Sequence, residues 1–92
     1  MRHAYVLAEE QGKGSLAWER AHAVVKVDGP IAELTDRLRP WALATAMRED
    51  CCDGRYSAYL VELDDEGQYD TYLALAFEDI IWFYGKEHAP VS

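Results

Sequence analysis

At 92 residues and a net charge of −8, with half of its residues apolar, the chain has room for one folded domain, residues 1–92, and is too hydrophobic for a disordered acidic tail. Its charge argues against direct contact with nucleic acid, and the apolar run at residues 4–8 is too short for a secretory leader or a membrane span, so the cytoplasm is the expected setting. No asparagine is present to accept a glycan, and adjacent Cys51 and Cys52 are expected as free thiols because a disulfide between neighbours is strained.

Residues 3–9 set Tyr5 and Leu7 on one side and Ala4, Val6 and Ala8 on the other, which predicts a strand covered on both faces. The segment 11–15, with Gly12 and Gly14, breaks it. Residues 16–27 alternate Leu16, Trp18, Arg20, His22 and Val24; the Val24-Val25-Lys26-Val27 end favours a strand over the helix that Ala17, Ala21 and Ala23 would also suit. Asp28-Gly29-Pro30 offers a capping residue and a first-turn proline, so a helix is expected over 30–49. Its apolar stripe is Ile31, Leu34, Leu38, Trp41 and Thr45, with Glu33 and Arg37 as an i,i+4 pair. Pro40 costs the helix interior ~3 kcal/mol and predicts a kink near Arg39 or a division into two short helices.

Cys51-Cys52-Asp53-Gly54 ends the helical region, and Tyr59, Val61 and Leu63 then alternate against Tyr56, Ala58 and Leu60. Asp64-Asp65-Glu66-Gly67 reads as a turn with a glycine for a positive φ, after which Tyr69, Thr71, Leu73, Leu75 and Phe77 resume the two-residue period. Residues 55–77 are thus expected as an antiparallel hairpin, with residues 80–84 as a last short strand. The fold class is α+β: an antiparallel sheet of about four or five strands with one kinked helix, 30–49, packed on one face.

Charge is unevenly placed along this fold. Ten of the seventeen acidic residues lie within 49–79, where Arg55 is the one basic residue, so that stretch carries −9; residues 1–48 are at +1 and residues 80–92 at zero. Glu62, Asp64, Asp65, Glu66, Asp70, Glu78 and Asp79 would gather where paired strands bring their ends together, giving a negative surface whose field reaches about 8 Å at physiological ionic strength. A solvated face that merely keeps the domain soluble is the competing reading.

The chemical motifs are weak. Gly67 stands fourth from Asp64, where a calcium loop of the EF-hand type needs its glycine sixth and a glutamate twelfth. Cys51, Cys52, His3, His22 and His88 lack the paired spacing of a zinc site, and Gly12-Lys13-Gly14-Ser15 lacks the Walker pattern. Glu9-Glu10 and Glu78-Asp79 are strand neighbours aimed at opposite faces, poor pairs for acid–base work. No catalytic residue, cofactor or metal is expected, and an enzyme would require a cysteine and a histidine to converge in the fold.

The remaining signal is aromatic residues beside carboxylates, since Tyr and Trp anchor protein interfaces. The expected function is a protein-binding module that lays its acidic hairpin on a basic, nucleic-acid-binding type of surface of a partner protein and masks it. In size, acidity and lack of a recognisable site the chain resembles small phage-encoded or immunity-type inhibitors, including anti-CRISPR proteins. That resemblance implies Glu62, Asp64, Asp65, Glu66 and Asp70 as phosphate surrogates, with Tyr69, Tyr72, Trp82 and Tyr84 as anchors. The alternative is a homo-oligomeric accessory or small-molecule-binding domain without catalysis, whose aromatic strands build a dimer interface or a pocket.

Overall fold

The computed structural model describes residues 2–11, 18–49 and 53–88. Among these residues five strands and one helix follow in the order β1 (His3–Gln11), β2 (Trp18–Val27), α1 (Ile31–Arg48), β3 (Gly54–Glu62), β4 (Ala76–Phe83) and β5 (Lys86–His88), with a 3-10 turn at Thr71–Leu73. The strands form one antiparallel sheet in the order β2-β1-β3-β4-β5, and α1 packs on one face of it, an α+β arrangement as expected.

β1 is an interior strand, flanked by β2 and β3, because its residues 4–8 are apolar on both sides, and all five are buried. β2 and β3 both run antiparallel to β1 and are therefore parallel to each other. A parallel relation needs a long crossover, which α1 supplies. The β1–β2 register shifts between Leu7 and Ala8, a bulge that the alternation of β2 did not reveal. The glycine-containing segment expected to break the first strand lies, apart from Gln11, outside the described residues, as do Cys51 and Cys52.

Two clusters hold the sheet. On the helix side Tyr5, Leu7, Tyr56, Ala58, Leu60, Ile80 and Trp82 meet Leu34, Leu38, Ala42 and Ala46. The four helical residues recur every fourth position, and the two alanines let the helix backbone come close to the strands. Ile31, expected at the head of the stripe, is exposed, while Trp41 lies at its margin and tilts against Tyr5 with ring centroids 5.1 Å apart. Tyr5 also donates its hydroxyl to the carbonyl oxygen of Leu34 at 2.6 Å, tying β1 to the first turns of α1.

Pro40 does not divide the helix, which runs from Ile31 to Arg48 as one element. Pro40 has no N–H for the carbonyl of Asp36, but both residues lie on the exposed side of the helix, so the cost stays local. Asp28 does not cap the helix; its carboxylate accepts the N–H of Gly29, and the Pro30 carbonyl opens the helical ladder by accepting from Leu34.

On the far side of the sheet Ala4, Val6, Ala8, Tyr59, Val61 and Leu63 form the second cluster. Its cover is the segment 63–75, where Ala74 packs on the cluster and Leu75 donates its N–H to the Leu60 carbonyl at 2.8 Å. This corrects the expected hairpin. β3 and β4 do pair, from Gly54 opposite Trp82 to Leu60 opposite Ala76, but the stretch 69–75 is not a strand.

The cause is side-chain competition for backbone donors. Asp64 Oδ1 accepts from the amides of Glu66 (2.9 Å) and Gln68 (2.8 Å), and Asp70 Oδ1 accepts from Tyr72 N–H (2.9 Å), which starts the 3-10 turn. Such local bonds offer the chain an alternative to ladder pairing, and here they override the period of two. The turn itself was read correctly: Gly67, at φ 78°, donates to the Asp64 carbonyl.

The expected last strand is also relocated. Residues 80–83 belong to β4, and Tyr84-Gly85 forms a two-residue hairpin turn with φ of 53° and 74°, after which Lys86–His88 pairs back.

Candidate protein-docking surface

Glu62, Asp64, Asp65, Glu66, Tyr69, Asp70 and Tyr72 lie together on the segment leaving β3, all exposed. None of the five carboxylates in this group forms an ion pair with a described residue. Asp64 and Asp70 are partly engaged in building the loop, whereas Glu62, Asp65 and Glu66 are not held by it. Apolar side chains are interleaved: Leu73 is 75% exposed and Tyr72 is 96% exposed. Glu62, Asp64, Tyr69 and Asp70 share a shallow hollow of about 500 Å³ with Leu73 and Leu75. Carboxylates around exposed aromatic and aliphatic groups are the chemistry of an interface for a basic partner.

Glu78 and Asp79 do not join this patch. As neighbours on β4 they point to opposite faces of the sheet. Glu78 turns toward α1, where Arg39 donates to it at 3.1 Å and also to Glu87 of β5; Asp79 lies 3.7 Å from Arg55 Nε on the far face. Burial lowers the proton affinity of the Arg39 guanidinium, but its bonds to Glu87 and Glu78 outweigh that and hold it above the ordinary value, so it stays charged. The arginine partners come from distant positions, which is why the charge tally alone overstated the patch.

Trp82 and Tyr84, also expected as anchors, stand apart from the acidic loop. Trp82 is 3% exposed, opposite Gly54 and packed in the helix-side cluster, so it belongs to the core. Tyr84 is 87% exposed but sits in the β4–β5 turn, at the other end of β4 from the acidic loop. At about 3.3 Å per residue the length of β4 places on the order of 20 Å between them. Its backbone N–H is held by the carboxylate of Asp53.

A second hollow, of about 810 Å³, lies on the far sheet face and was not anticipated. Glu10 and Glu19 face each other directly across β1 and β2 on one rim, and Tyr59, Tyr72 and Phe77 form the other. Tyr59 donates its hydroxyl to Glu19 Oε1 at 2.5 Å, and its ring meets Phe77, the cross-strand partner, with centroids 5.4 Å apart. Burial, then the bond to Glu19, pushes the Tyr59 hydroxyl up to about 12. The register explains the reach: Ala21, Ala8 and Ser57 align between the Glu10–Glu19 pair and the Val6–Tyr59 pair, and small side chains let the Tyr59 ring cross toward Glu19. The residue types were visible in the sequence, but the pairing of Glu10 with Glu19 depends on a register set by the bulge and the β1–β2 connection.

His22 and Glu9 form a further polar pair at 2.6 Å on the helix side, with the His22 ring against Tyr56 at 5.6 Å. Among the described residues no three His, Cys, Asp or Glu side chains gather as metal ligands would, and no helix is long and apolar enough to cross a membrane. Comparison with protein-family models, with curated proteins and with solved structures finds no match. What is shown is the fold: a five-stranded antiparallel sheet with one helix packed against it.

Proposed function

We propose that the protein is a non-catalytic docking module that lays the segment 62–75 on a basic surface of a partner protein in the cytoplasm and masks it. The observation that carries this reading is the arrangement of that segment, in which exposed carboxylates with no ion pair to a described residue stand beside exposed Tyr69, Tyr72, Leu73 and Leu75. A face meant only for solubility does not need large apolar groups among its charges. A surface that ordinarily binds phosphates would meet carboxylates in their place, so inhibition by occupancy is the mechanism, and on- and off-rates would respond differently to charge and to aromatic truncation.

The test uses the variant E62Q/D65N/E66Q, which keeps the turn-building Asp64 and Asp70. Its affinity for a captured partner should fall at least about tenfold, equivalent to about 1.4 kcal/mol, and the wild-type complex should weaken between low and high salt. Equal affinity of variant and wild type would place the interface elsewhere.

A second reading, self-association, is favoured by β2. This ten-residue strand is an edge of the sheet, and Val24 and Val25, on its two faces, are both exposed. Free edges of this length invite pairing with another strand. If β2 makes a homodimer, sedimentation will show a salt-resistant dimer that V25K converts to monomer; a wild-type monomer at all concentrations sinks this reading.

A further inference from the structure

We propose that the hollow on the far sheet face is an arginine-side-chain pocket, in which Glu10 and Glu19 pair the guanidinium and Tyr72 and Phe77 stack on it. The inference deepens the docking reading and rests on it, because Thr71–Leu73 is shared: Tyr72 lines this hollow while Leu73 lines the one beside the acidic loop. The 3-10 turn is therefore the ridge between an acidic surface that attracts and a pocket that selects.

Charge and shape both point to this occupant. Two carboxylates placed directly opposite each other on paired strands repel and destabilise the pair unless a cation joins them. Neither forms an ion pair with a described residue; Tyr59 gives Glu19 a hydroxyl bond and supplies no positive charge. Among described basic side chains on this face, Arg55 is directed to Asp79, and Lys26, opposite Ala4, lies near the other end of β2 from Glu19. The opposite rim is aromatic, and ring faces attract cations within about 6 Å of their centroids. A planar guanidinium satisfies both rims at once, stacking on a ring while its fork of donors reaches two carboxylates, which a compact ammonium does less well. Tyr72, 96% exposed and anchored by its own N–H on Asp70, stands over the hollow without any packing duty inside the fold.

The test is an amide NMR titration of the whole protein with N-acetyl-arginine methylamide, with the citrulline analogue as a neutral isostere and the lysine analogue as a second cation. Saturable shifts at Glu10, Glu19, Tyr59 and Phe77 are expected with the arginine probe, weaker ones with lysine and none with citrulline. E10Q/E19Q should weaken the arginine probe at least about tenfold, and Y72A, which alters an exposed side chain, by about fivefold. R55Q, which removes a cation of β3 from the same face, should bind at least as well as wild type. Equal shifts with citrulline, or undiminished binding by E10Q/E19Q, overturn the pocket, as do shifts confined to residues 62–70. The two readings fail separately. Loss of the partner in E62Q/D65N/E66Q without any probe binding removes the pocket alone, whereas probe binding with an unaffected partner removes the docking surface.

Discussion

Tyr84 occupies a left-handed backbone position, φ 53°, where an asparagine or glycine would sit without strain, and its ring is almost wholly in solvent. Among the described residues the contact that holds it is the N–H bond to Asp53, which any residue would keep. Y84N should therefore raise stability by about 1 kcal/mol, read as a rise of about 4–8 °C in the thermal midpoint; a lower midpoint would mean the ring does pack in solution. Tyr59 makes a pH statement at the same scale. Its hydroxyl is raised from 10.0 to about 12, so above the unfolded value the unfolded chain releases a proton that the folded chain keeps. Stability from this group is complete below pH 10 and is lost as pH climbs toward 12, at up to about 1.4 kcal/mol per pH unit. Tyr5, also raised by burial, against the pull of Arg37, acts in the same sense. Denaturation midpoints across this window should fall less steeply in Y59F, and parallel slopes would show that Tyr59 ionises freely in the native state.

At the scale of elements, the pattern of residues marks the largely exposed β2 as well as the buried β1, whereas the same two-residue period over 69–75 marks no strand. β1 was legible because Ala4 through Leu7 leave no polar face, and α1 because Leu34, Leu38 and Thr45 recur at helical spacing, although the buried Ala42 and Ala46 that complete the packed face were not in the expected stripe. The segment 69–75 carried the same alternation as a true strand, yet Asp64 and Asp70 captured its amides first. Period reports which faces a strand would have, while bonds from aspartate to nearby N–H groups decide whether a strand forms. D64A should accordingly cost about 1–2 kcal/mol and abolish exchange protection at Gln68, with D65A within about 0.5 kcal/mol of wild type. Equal effects of the two would show that Asp64 is as dispensable as its neighbour. The candidate site followed the same rule: acidic residues of the loop were found from the sequence, whereas the Arg39–Glu78 and Arg55–Asp79 pairs and the burial of Trp82 arise between segments far apart in the chain.

Across the whole molecule the two faces of the sheet have different covers, a helix on one side and an irregular segment on the other. The helix side is closed by apolar packing and by Arg39 reaching β4 and β5. The far side is closed over Ala4, Val6 and Val61 but leaves Val24, Phe77 and Tyr72 at the surface. Both hollows and the acidic loop adjoin this less complete cover, which concentrates apolar exposure and negative charge on the same side. A partner engaging the loop would therefore find a continuous surface, and the salt sensitivity of such a complex would be a property of that whole side.

The placement of β1 between β2 and β3 also governs how the chain is made. During synthesis the hairpin of β1 with β2 and then α1 emerge from the ribosome while the strand that completes the centre is still unread, since His3 waits for Glu62. Until then the inner edge of a strand apolar over residues 4–8 has no hydrogen-bonding neighbour, and closing that long loop comes late and slowly. A nascent chain stalled before residue 54 is thus the most association-prone form of this protein, and chaperones that hold such edges would find their client there.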